Sequence, residues 1–78
     1  MEHAAQPEPI GAKIRRLRQE LGLPQDRLAL KARVDQSGLS KFERGREGHR
    51  LGHEPLTRIA AALGMSLSDL VAGTDYTS

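Results

Sequence analysis

The 78 residues contain no cysteine and no tryptophan, and Phe42 and Tyr76 are the only aromatic side chains. Without cysteine there is no disulfide, thiol nucleophile or cysteine-based zinc site, and a reducing, cytoplasmic setting is compatible. Two aromatics are too few for the stacking platforms that hold single-stranded nucleic acid. No apolar run reaches the length of a membrane span, and the first residues lack a signal-peptide pattern. An HExxH pair, a glycine-rich phosphate loop and a nucleophile–base pairing are all missing, and a core this small leaves little cavity, so no enzyme is expected. His49 and His53 are spaced to share one helical face. That segment is broken by glycine and has no cysteine or third histidine nearby, so neither a metal site nor any other cofactor is expected.

What the chain does have is unevenly placed charge. The net charge is +2. Between Lys13 and Arg50 there are eleven Lys or Arg residues against five acidic ones, while residues 1–12 and 51–78 are each mildly acidic. A basic stretch of this kind suits attraction to phosphates, although solvation alone accounts for many such excesses. The length allows one domain with one small core.

Hydrophobic periodicity divides the chain into helices. Residues 1–9 hold two prolines and no repeat, and read as a disordered lead-in. Ile10, Ile14, Leu17 and Leu21 form one stripe of a first helix that Gly22 ends. A second helix begins near Pro24, since proline is tolerated in a first turn, and presents Leu28, Ala29 and Ala32 on one face. Asp35 is an N-cap for a third helix over about Gln36 to Arg44, with Val34 and Leu39 placed as a hydrophobic staple. Leu39 and Phe42 face inward, leaving Gln36, Ser37, Ser40 and Lys41 outward. Gly45 to His53 is a loop. A fourth helix, about Glu54 to Leu63, buries Leu56, Ile59, Ala60 and Leu63 and stops at Gly64. Ser66 with Asp69 makes a capping-box variant for a short fifth helix reaching about Ala72. With no strand in view, the expected fold is an all-α, compact five-helix bundle with a tail over residues 73–78.

The segment Leu23 to Gly45 therefore reads as two short helices joined by a tight turn, the second polar on its outer face. That is how a helix-turn-helix offers side chains to the major groove of duplex DNA. Its residues resemble the Cro and phage-repressor class, the xenobiotic-response-element family. The matching positions are Ile10-Gly11, Ile14-Arg15, Leu17-Arg18, Leu21-Gly22-Leu23, Gln25, Leu28-Ala29, Val34, Ser40 and Glu43-Arg44-Gly45. Further on, the run from Ile59 to Leu67 and the pair Asp69-Leu70 also match. The resemblance covers about residues 10 to 72 and implies a lambda-repressor-like fold.

It further implies that Gln36 and Ser37, with Ser40 and Lys41 one turn on, read base edges. Their chemistry agrees, since glutamine pairs bidentately with adenine, lysine donates to guanine, and serine serves either. Gln25 matches a phosphate-bonding position at the start of helix two, where the helix dipole favours an anion. Arg44, Arg46 and Arg50 are further candidates for phosphate contact. Arg18 and Glu43 are implied as a partly buried ion pair that locks helices one and three together. The family commonly dimerises through its C-terminal helix and tail, which would use Leu67, Leu70, Val71 and Tyr76 here. For Leu67 and Leu70, closure of the monomer core is an equal alternative.

Three positions depart from the family pattern. Gly38 lies inside the recognition helix, at a cost of about 1 kcal/mol relative to alanine. Arg33 stands at the turn position where glycine is common, at a cost of roughly 1 kcal/mol if its φ is positive. The Gly45–His53 loop is about two residues longer than usual. The leading expectation is a sequence-specific, homodimeric regulator on a pseudo-palindromic DNA site, a repressor or autoregulator with no small-molecule domain. The second is an interaction module, antitoxin-like or polymerase- or coactivator-binding, with DNA contact secondary. An exposed apolar patch around Leu30 and Leu39 would favour that second reading.

Overall fold

A computed structural model of the protein describes residues 7–45 and 51–76. Its helices are α1 (Ile10–Glu20), α2 (Gln25–Ala32), α3 (Gln36–Glu43), α4 (His53–Ala62) and α5 (Leu67–Val71). Among the described residues there is no strand, only one isolated parallel bridge between Glu8 and Thr74. The predicted spans agree to within a residue or two. His53 is the first residue of α4 rather than the last of the loop, which puts Pro55 in the first turn, where a missing N–H costs nothing. Arg46, His49 and Arg50 lie outside the described residues, as does most of the proposed lead-in.

The core is built from the faces that the periodicity marks. Ile10, Ile14, Leu28, Ala29, Ala32, Leu39, Phe42, Leu56, Ile59, Ala60, Leu63 and Leu70 form one buried cluster. Around it α2 packs on α4 and α3, α1 on α3 and α5, and α4 on α5. Leu21 departs from its predicted stripe and is 61% exposed. The helix has ended by then, and the turn at Gly22 brings Leu23 onto the core instead. Two crossed hydrogen bonds close that turn, Gly22 N–H to Gln19 O at 3.0 Å and Leu23 N–H to Arg18 O at 2.9 Å. The end of α2 is closed in the same way, Arg33 N–H to Leu30 O and Val34 N–H to Ala29 O. Here the left-handed residue is Arg33, at φ 57°.

Two features position the recognition segment. Asp35 caps α3, its carboxylate accepting from Gly38 N–H at 2.9 Å. Gly11 lets α1 approach the end of α3, because a Cβ at that position would stand 2.0 Å from Phe42 O. Ser66 caps α5 by accepting from Asp69 N–H at 3.1 Å.

The lead-in is not disordered up to Ile10. Glu8 N–H donates to Gly73 O and Asp75 N–H to Glu8 O, each at 3.0 Å. Asp75 Oδ1 then accepts from Ile10 N–H at 3.0 Å. Pro9 gives α1 no cap of its own, so the tail supplies it. The Arg16 guanidinium, hydrogen-bonded to Glu8, holds the Glu8 carboxyl below its ordinary 4.5.

Candidate nucleic-acid interface

On α3 the inward positions are Leu39, Phe42 and Glu43, which leaves one polar side outward. Gln36, Ser37 and Lys41 are exposed and Ser40 is half-buried. These four, with Gln25 from the start of α2 and Asp35 and Arg44 from the two ends of α3, line one shallow open groove of about 530 Å³. The predicted base readers and two of the predicted phosphate ligands thus share one concave surface. Among the described residues, Gln36, Ser37, Lys41 and Arg44 have no side-chain hydrogen bond or ion pair. No described residue competes with a ligand for their donors and acceptors.

Asp35 is the groove residue that the sequence marked only as a cap. Its negative charge lines the same groove as the cations Lys41 and Arg44, and it is offset locally by the free amides at the start of α3. The groove is polar and open rather than deep, which suits the edge of a macromolecule better than a small molecule.

Behind it lies the ion pair. Arg18 Nε and Nη2 donate to Glu43 Oε2 and Oε1 at 2.9 and 3.0 Å, a bidentate arrangement. The side chains are 11% and 2% exposed. Arg18 Nη1 donates to Leu23 O at 3.0 Å, and Gln25 Nε2 to Glu43 Oε1 at 3.2 Å. Among the described residues no buried side-chain nitrogen or oxygen lacks a partner. Removing one member of such a pair costs about 3–5 kcal/mol, because the other is left as a buried charge. Its geometry ties α1, the turn before α2, and α3 together at one point. The bond from Gln25 to Glu43 had no sequence signal, since the residues are 18 apart and on different helices.

Other expectations are redistributed. Leu70 is fully buried and belongs to the monomer core, so it is removed from the proposed dimer surface. It points into the bundle where α5 closes over α1 and α4. Leu67, Val71 and Tyr76 pack against that core but remain half-buried. The apolar patch that would favour an interaction module is not formed as expected. Leu30 is 74% exposed, but Leu39 is fully buried beneath α3. None of the described helices is long and apolar enough to cross a membrane.

Comparison with known proteins agrees with this geometry. The HTH_3 helix-turn-helix family model matches residues 14–70. An uncharacterized HTH-type transcriptional regulator, y4dJ, of Sinorhizobium fredii is 38% identical over 68 residues, covering 87% of this chain and 86% of that protein. Among solved structures, SinR in complex with DNA superposes with a TM-score of 0.71 at 34% identity, over 78% of this chain and 95% of that one. In a SinR–SinI complex the TM-score is 0.73 at 33% identity, over 81% of this chain but only 60% of that chain's length. The restriction-modification controller C.AhdI of Aeromonas hydrophila gives 0.73 at 29% identity, over 80% of this chain and 91% of its own. With five helices among the described residues, a capped and outward-polar α3 and a family match over most of its length, this chain belongs to the HTH_3 helix-turn-helix family and is a DNA-binding transcriptional regulator.

Proposed function

We propose that the protein reads a specific duplex sequence by laying α3 in the major groove, with Gln36, Ser37, Ser40 and Lys41 at base edges. Gln25 and Arg44 hold the flanking phosphates, and Arg46 and Arg50 extend that contact. The observation that carries this reading is the one groove that the four base-reading candidates line together with Gln25 and Arg44. SinR, similar in fold and sequence, has been solved in complex with DNA, which supports DNA binding here. The working form is a homodimer on a pseudo-palindromic site, joined through the exposed parts of Leu67, Val71 and Tyr76. As a DNA-binding regulator it acts in the cytoplasm. A protein partner that modulates it is the second reading, supported by the SinR–SinI complex.

Selection of bound sites from random duplex DNA tests the proposal. On the selected site, Gln36→Ala and Lys41→Ala are each expected to cost about 1–3 kcal/mol, and little on a scrambled duplex at the same salt. Arg44→Ala should weaken both duplexes alike and reduce the log–log salt slope by about 0.9. Equal losses on both duplexes for Gln36→Ala and Lys41→Ala would remove them from base reading.

A further inference from the structure

We propose that Glu43 controls DNA affinity through Gln25, by fixing which edge of the Gln25 amide is turned to a phosphate. This rests on the phosphate-binding reading of Gln25 given above. Glu43 never touches DNA in this arrangement and is a positioning residue.

Glu43 is 2% exposed in its side chain and is pinned by two bonds from Arg18. An ionised carboxylate only accepts hydrogen bonds, so the Gln25 amide group 3.2 Å away must turn its nitrogen toward Glu43. The opposite orientation would set two acceptor oxygens against each other. The amide nitrogen carries a second hydrogen, directed roughly 120° from the first in the amide plane, and this one is left for a ligand. Gln25 is half-exposed and lines the groove with Arg44. Pro24 provides α2 with no side-chain cap, so no side chain of the cap competes for the first amides of α2. A glutamine amide has a broad terminal torsion and no orientation of its own. Released from Glu43, it would present its oxygen as readily as its nitrogen, and a phosphate would repel the oxygen.

Glu43→Gln inverts the device. The Arg18 cation claims the new amide's oxygen, its NH₂ group is left facing Gln25, and the Gln25 oxygen becomes the acceptor. Simple electrostatics predicts the reverse effect on binding, since removing a negative charge near DNA should tighten it. The sign of the change therefore separates positioning from bulk charge.

The experiment measures affinity for a scrambled-sequence duplex at fixed salt, at a temperature where every variant is folded. Phosphate contacts are indifferent to sequence, so no operator is needed. Gln25→Ala should lose about tenfold, the worth of one hydrogen bond to a charged group, with the salt slope unchanged because the amide is neutral. Glu43→Gln should also weaken binding, by up to about the same factor, and should add nothing in the Gln25→Ala background. Tighter binding by Glu43→Gln, or the same loss with and without Gln25, would overturn the positioning role while leaving Gln25 a phosphate ligand. No loss in Gln25→Ala would overturn the phosphate reading and the proposal together. If Glu43→Gln does not fold, the side-chain amide resonances of Gln25 in the unaltered protein decide. One hydrogen should be protected from exchange in the free protein, and the other should shift when duplex is added. Two equally unprotected hydrogens would overturn the role of Glu43.

Discussion

A methyl group on residue 11 would sit 2.0 Å from the Phe42 carbonyl oxygen and 2.9 Å from its carbon. Both obstacles are backbone, so no side chain can swing aside, and α1 must retreat from the recognition helix. Gly11→Ala is expected to destabilise by about 3 kcal/mol or more, seen as a melting temperature lowered by over about 10 °C. A loss under about 1 kcal/mol would show that α1 has room to shift. Arg33 gives the opposite case. It adopts φ 57° with an exposed side chain that has no partner among the described residues. A left-handed non-glycine residue costs roughly 1–2 kcal/mol, and glycine's extra unfolded-state freedom takes back about half of that. Arg33→Gly should therefore raise the denaturation midpoint, by roughly 0.5–1 kcal/mol of stability. The strain at Arg33 could be read from its place in the turn. The need for Gly11 could not, because its neighbour is 31 positions away and belongs to another helix.

The helices were legible because their punctuation is local. Asp35 before α3, Ser66 before α5 and Gly22 and Gly64 after α1 and α4 all act within a few residues of where they stand. Alternation of Leu39 and Phe42 against Gln36, Ser37, Ser40 and Lys41 likewise fixed the outer face of α3 before any packing was known. Full burial of Leu70 depended on how the helices meet, which the wheel of one helix does not contain. At this scale α3 has a divided dependence on Asp35, which supplies a cap and also places a negative charge in the groove. An eight-residue helix has little stability of its own, so loss of the cap matters. Asp35→Ala should cost about 1 kcal/mol and reduce discrimination between selected and scrambled sites, because Gln36 and Ser37 lie in the frayed turn. Asp35→Asn keeps a capping oxygen and removes the charge. It should leave stability within about 0.5 kcal/mol and tighten binding to any duplex. Denaturation together with binding curves on both duplexes checks the pair. Weaker binding by Asp35→Asn would mean the carboxylate has a role in the groove beyond capping.

Across the whole molecule, the two ends of the described chain cap each other. Asp75 closes the start of α1, while Lys13 Nζ donates to Asp69 O and Ala72 O at the end of α5, both at 2.8 Å. Glu8 lies between, bonded to the tail by its backbone and to Arg16 by its carboxylate at 2.9 Å. None of this is visible in the sequence, where residues 8 and 75 stand in segments without periodicity. It links the tail beside the proposed dimer surface to α1, and through Gly11 to the recognition helix. The clasp should respond to acid in a definite direction. Hydrogen bonding to Arg16 lowers the Glu8 pKa from 4.5. A carboxylate with a depressed folded pKa contributes stability that is complete above its unfolded value and is lost as pH falls through the folded value. The contribution should therefore be whole at neutral pH and fade below about 4.5, more at low salt, since Arg16 is 48% exposed and the pair is readily screened. The expected outcome is local. As pH drops below 4.5, exchange-corrected protection of the Asp75 and Ile10 amides should fall while the amides of α2 and α4 stay protected. Glu8→Gln should lower that protection already at neutral pH and flatten its dependence on acid, with α3 still folded. Protection at Asp75 and Ile10 that follows global unfolding at every pH would show that the ends have no separate opening, and the clasp would then be no more than part of the common core.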